Sequence, residues 1–117
     1  MTPLSPQARA RDLPGVLATG WALLDGRDAI RKVWRFADFA AAWGFMCRVA
    51  PIAERLDHHP EWTNRYNIVE VTLITHDCGG LSDLDLALAQ EMDRLAGDTP
   101  LAAASAPTSC EERAARR

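Results

Sequence analysis

The chain predicts an α+β fold whose elements run helix, strand, strand, helix, strand, strand, helix, and three observations lead there. An Asp25-Gly26 turn separates two apolar runs, which is a strong hairpin signal. A second alternating pair, Glu61 to Tyr66 and Ile68 to Thr75, follows with a tight junction at Asn67. Helical periodicity occupies Phe39 to about Leu56 and the stretch after Ser82. At 117 residues, 48% of them hydrophobic and 25% charged, the chain has the size and composition of one globular domain.

Each element has a local reason. Ser5 as N-cap, Pro6 in the first turn and the Pro14-Gly15 stop predict a helix of at most two turns ending near Leu13. Trp21 to Leu24 and Ala29 to Phe36 form the first hairpin, with Ile30, Trp34 and Phe36 on the core face of its second strand. Asp38 caps the long helix, which carries two apolar stripes: Phe39, Trp43, Met46 and Ala50, and separately Phe45, Val49, Ile52 and Leu56. One stripe can cover a sheet, and the other requires a partner, so a homodimer or homotetramer joined through this helix is expected. Pro51 removes a backbone donor inside the same helix, and a kink near Cys47–Pro51 is expected. In the second hairpin Val69, Val71 and Leu73 point inward. Gly79-Gly80 breaks the chain, and Ser82 with Asp85 opens the last helix, whose core stripe is Leu84, Leu88, Met92 and Leu95. The folded domain is expected over 1–96, with 97–117, rich in Ala, Ser, Pro and Thr, as a largely disordered tail.

Composition narrows the function. A formal charge of −3 and a pI near 5.5 give no basic footprint for nucleic acid or anionic lipid. The strongest apolar stretch, Phe39 to Ala50, contains Arg48 and falls short of the roughly 20 residues a bilayer span needs. The N-terminus lacks the pattern of an export signal, and Cys47, Cys78 and Cys110 are odd in number with no CxxC pair. A cytoplasmic location is expected.

All three histidines, His58, His59 and His76, fall within nineteen residues, at two junctions between predicted elements. Imidazole, with an ordinary pKa of about 6.5, exchanges protons near neutral pH, so a pair facing one molecule can act as acid and base without a cofactor. Glu54 and Asp57 are carboxylates near enough in sequence to fix a tautomer. Two other readings stand beside this one. Surface histidines at a helix end are favoured by the helix dipole, although one dipole cannot explain two adjacent ones. Zinc also uses three-histidine sets, but neighbouring residues rarely aim at one ion, and no H-E-x-x-H spacing is present. Asp85 serves first as a cap, and Trp62 and Tyr66, placed on one strand face, are either core or a stacking surface. Cys78 cannot easily be aimed at His76 from the same strand end, so it is not a candidate nucleophile.

The spacing Glu54, three residues, His58-His59-Pro60, five residues, Tyr66, nine residues, His76, eight residues, Asp85 resembles the signature of the pterin-4a-carbinolamine dehydratase family. The likeness includes Trp43 to Val49 and His76 to Asp85 and spans about residues 20–96. It implies a four-stranded antiparallel sheet with helices on one face, assembled into dimers and tetramers. It also implies a hydro-lyase that removes water from 4a-hydroxytetrahydropterin, giving the quinonoid dihydropterin recycled for aromatic amino-acid hydroxylases, with no metal or organic cofactor. By carry-over His58, His59 and His76 are the catalytic candidates, with Glu54, Asp57, Pro60, Trp62 and Asp85 binding or orienting. Some animal relatives also stabilise a transcription-factor dimer, so a non-catalytic coactivator module is the alternative. Pro51 departs from the helix former expected at that place, and the tail has no counterpart in the family pattern.

Overall fold

The computed structural model describes residues 2–104. Its elements are α1 (Pro6–Leu17), β1 (Ala22–Leu23), β2 (Ile30–Arg35), α2 (Phe39–Leu56), β3 (Glu61–Arg65), β4 (Ile68–Leu73) and α3 (Asp83–Ala96), with a 3₁₀ turn at His76–Cys78. The four strands form one antiparallel sheet in the order β1-β2-β4-β3. The α+β class and the order of elements therefore agree with the sequence pattern.

One face of the sheet makes the core. Ile30, Trp34, Val69, Val71 and Leu73 form a single cluster with Leu13 and Val16 of α1, Phe45 and Val49 of α2, and Leu88 and Met92 of α3. The register Ile30↔Leu73 and Trp34↔Val69 places these side chains opposite one another, so the alternation in both strands serves the same face. Trp34 meets Trp21 edge-on at 5.6 Å and Phe45 at 5.1 Å, contacts that add to burial worth about 1.5–3 kcal/mol for a large side chain. Lys32 also lies on this face. Its Nζ meets Asp93 Oδ1 at 2.7 Å and sits 5.0 Å from the Trp34 ring, so the buried ammonium is paired as burial requires.

Three expectations are corrected. α1 does not stop at Pro14-Gly15: it continues to Leu17, with the Ala18 N–H donating to the Pro14 carbonyl at 3.0 Å. Val16 is buried in the core, and that burial offsets the donor that Pro14 lacks. The buried face of α3 runs through Asp85, Leu88, Ala89, Met92 and Ala96, while Leu84 and Leu95 are only half-buried. Tyr66 lies outside β3, in the turn to β4 at φ 52°, so it does not share a strand face with Trp62.

The span of α2 matches its expected bounds, capped by Asp38 Oδ1 on the Ala41 N–H at 2.8 Å, and it runs through Pro51 as one helix. The stripe of Phe45, Val49 and Ile52 is buried, whereas Phe39 and Trp43 stack on each other at 50% and 54% exposure. After α3, the Pro100 carbonyl accepts from Arg35 N–H at 2.8 Å and the Ala102 N–H donates to Val33 at 3.0 Å. The first residues of the expected tail thus run along the part of the β2 edge that β1 leaves uncovered; 105–117 lie outside the described residues.

Candidate functional site

The site lies where α2 hands over to β3 and β4 ends. Asp57 closes α2 in the left-handed conformation at φ 50°, and its N–H and that of His58 return to the last turn of the helix. This sharp exit leaves His58 buried while Asp57 and His59 are exposed, and Pro60, half-buried, leads into β3.

His58 points its Nε2 at Asp85 Oδ1, 2.5 Å away. Asp85 is fully buried, and its other oxygen accepts from Thr75 Oγ1 at 2.7 Å and from Ser82 N–H at 2.8 Å. The Thr75 and Ser82 hydroxyls are themselves 2.6 Å apart. The capping box that opens α3 therefore also supplies the carboxyl that orients a histidine: one residue closes the helix end and anchors the imidazole.

Thr75 immediately precedes His76, so the chain His58, Asp85, Thr75 leads from one histidine loop to the other. A bridge between Thr75 and Gly80, with Gly79 at φ 69°, curls the intervening residues into a tight loop. His76 is 70% exposed on that loop, with Nε2 3.0 Å from Glu61 Oε2 at the start of β3. Glu61 in turn takes the Arg27 guanidinium on both oxygens, at 3.1 and 2.9 Å. Arg27 holds the Glu61 carboxyl below the ordinary carboxylate range against the opposing effect of partial burial, with His76 adding to the depression. His59 Nε2 lies 2.6 Å from Glu54 Oε1 at the surface.

Each imidazole thus faces a carboxyl through Nε2. Of the other expected residues, Trp62 is half-buried and packs against the core, Asp57 is exposed beside the pair of histidines, and Tyr66 sits at the far end of β3, roughly 16 Å along the strand. Cys78 Sγ donates weakly to the carbonyls of Thr75 and Gly80 and is not directed at His76. Among the described residues no three His, Cys, Asp or Glu side chains are grouped as a metal-ligating set. Arg27, Glu61 and Thr75 were not anticipated. Glu61 directly follows His58-His59-Pro60 and could have been noticed, but Arg27 joins it only through the sheet order.

The family model described as pterin 4 alpha carbinolamine dehydratase matches residues 2–95. The chain belongs to that family. Relatives provisionally named pterin-4-alpha-carbinolamine dehydratase include one from Jannaschia sp. (strain CCS1), 55% identical over 93 residues that cover 80% of this chain and 95% of the relative. Another, from Bradyrhizobium sp. (strain ORS 278), is 56% identical over 93 residues, covering 80% of this chain and 91% of the relative. A crystal structure described as a transcriptional coactivator/pterin dehydratase from Brucella melitensis superposes with a TM-score of 0.75 at 44% identity, over 82% of this chain and 100% of that one. A pterin dehydratase-like protein identified as a RuBisCO assembly factor in the alpha-carboxysome shares the fold, with a TM-score of 0.59 at 24% identity over 67% of this chain and 90% of that one. Among the described residues no helix is long and apolar enough to cross a membrane.

Proposed function

We propose that this chain dehydrates a 4a-hydroxytetrahydropterin to the quinonoid dihydropterin, supporting pterin recycling for aromatic amino-acid hydroxylation. The observation that carries the reading is the link from His58 through Asp85 and Thr75 to the His76 loop, which brings two separately encoded histidine segments to one end of the sheet. In the reaction the C4a–O bond breaks. An imidazolium protonates the departing hydroxyl, which leaves as water, while a ring N–H gives its proton to a neutral imidazole and its electron pair to the new C=N bond. His58 and His76 are the acid and base candidates, and His59 is a pterin contact. Asp85 fixes the tautomer of His58, and Glu54 that of His59. Asp57, Pro60 and Trp62 complete the rim.

Two further features fit this reading. The exposed Phe39 and Trp43 stripe of α2 supplies the face through which copies of the chain would pair into a homodimer or homotetramer. Free Cys47 and Cys78 suit a reducing cytoplasm. The double description of the Brucella melitensis protein keeps a coactivator-type binding role as the second reading. A coupled assay of carbinolamine dehydration tests the first. The wild-type chain is expected to turn over, and His58→Ala and His76→Ala are each expected to lose about 10²–10⁴-fold while remaining folded. An inactive, folded wild type would favour the binding module.

A further inference from the structure

Arg27 sits in the loop between β1 and β2, thirty-four residues from Glu61, yet its guanidinium grips both Glu61 oxygens, and one of those oxygens also faces His76. We propose that Arg27 is a positioning residue for His76: by fixing the Glu61 carboxylate it makes His76 present Nε2–H to Glu61 and leaves Nδ1 for proton exchange with the substrate. The part that concerns turnover rests on the dehydratase reading, whereas the part that concerns the tautomer does not.

Stability alone does not account for this triad. The Arg27 and Glu61 side chains are 42% and 41% exposed, and ion pairs so open to solvent contribute little to stability. A two-pronged guanidinium contact does something a point charge does not, since it sets the plane of the carboxylate and so the place where one of its oxygens, shared with the guanidinium, can meet a third group. That oxygen, Oε2, lies 3.0 Å from His76 Nε2. A carboxylate oxygen at that distance repels a nitrogen lone pair, so the nitrogen facing it carries the proton and the opposite nitrogen is the one free to react. His76 stands on an exposed 3₁₀ turn, where an unrestrained ring would sample many orientations, and acid–base catalysis needs the reacting atoms within hydrogen-bond reach. Glu61 remains an acceptor across the neutral range because Arg27 holds its carboxyl below the ordinary carboxylate values.

The test uses the full chain with Arg27→Gln, Arg27→Lys and Glu61→Gln, each checked for fold by circular dichroism. At about pH 8, above the ordinary imidazole range, the ¹⁵N shifts of His76 in the wild type should report an essentially complete Nε2–H tautomer. In Arg27→Gln they should move toward the mixture of an unrestrained imidazole, with Arg27→Lys between the two. Unchanged shifts in Arg27→Gln and Glu61→Gln would overturn the proposal. In the dehydration assay Arg27→Gln should lower kcat about tenfold with little change in KM, and should cost nothing further in a His76→Ala background. A full additional loss in that background would overturn it as well. If the wild type proves inactive, the dehydratase reading fails and the ¹⁵N comparison alone decides whether Arg27 governs His76.

Discussion

Asp85 carries two jobs on one carboxyl, and the consequence is testable at that residue. Asp85→Asn can keep the Thr75 and Ser82 donors satisfied only by turning its NH2 toward His58 Nε2, which must then give up its proton, and the opposite turn leaves both donors without an acceptor. We expect a stability loss of about 1–3 kcal/mol by urea unfolding, and turnover effects that fall well short of additive with His58→Ala. Asp93 answers a different need, since it neutralises Lys32 beneath the sheet and also accepts from Trp21 Nε1 at 3.0 Å. Asp93→Ala leaves the buried ammonium without its counter-charge, holding only the Thr19 carbonyl, and should cost about 3 kcal/mol, measurable by the same unfolding method. Two other carboxyls contribute to the acid limb. Arg9 holds Asp28, and Arg27 holds Glu61, below the ordinary carboxylate range. A carboxyl with a depressed folded-state pKa contributes stability above its unfolded pKa, about 4, and that contribution disappears as pH falls through the lower folded value. Melting temperatures at pH 6 and pH 3 should therefore differ less in the Asp28→Asn, Glu61→Gln double variant than in the wild type.

At the scale of elements, the least expected is α1. A proline in its interior costs a backbone bond and a clash, while proline elsewhere also restrains the unfolded chain, so Pro14→Ala should stabilise the protein by about 1–2 kcal/mol net. No gain would mean that the helix already relaxes around the ring. Local signals marked the other elements well where a cap and a periodicity agreed, as at Asp38 for α2 and at Ser82 and Asp85 for α3. They misplaced the end of α1, because Pro14-Gly15 reads as a stop and only the burial of Val16 in the tertiary core argues otherwise. They also set the face of α3 off by a fraction of a turn: Leu88 and Met92 are buried as expected, but Asp85, Leu86, Ala89 and Ala96 are buried in place of Leu84 and Leu95. Lys32 shows the same limit: it lies on the face of Ile30 and Trp34, and nothing local in the sequence reveals that Asp93 of α3 pairs with it there.

Across the whole molecule, the sheet order β1-β2-β4-β3 assembles the candidate site. It sets the start of β3 beside the end of β4 and brings the β1–β2 loop within reach of Glu61. The histidines and Asp85 were legible in the sequence because their residue types and spacing are unusual. Arg27 and Thr75 were not, because an arginine in a polar turn and a threonine at a strand end are ordinary until the topology joins them to the site. The same topology leaves the Phe39 and Trp43 stripe uncovered within the described chain. If that stripe is the pairing face, Trp43→Asp should reduce the mass seen by light scattering to that of a smaller assembly without unfolding the domain; an unchanged mass would place the interface elsewhere.

In the proposed reaction, imidazoles from two loops surround one flat heterocycle. Titrating a non-reacting dihydropterin into ¹⁵N-histidine-labelled protein tests it most directly. The His58 and His76 ring signals should move together along one saturating curve. Movement of only one, or of neither, would contradict it.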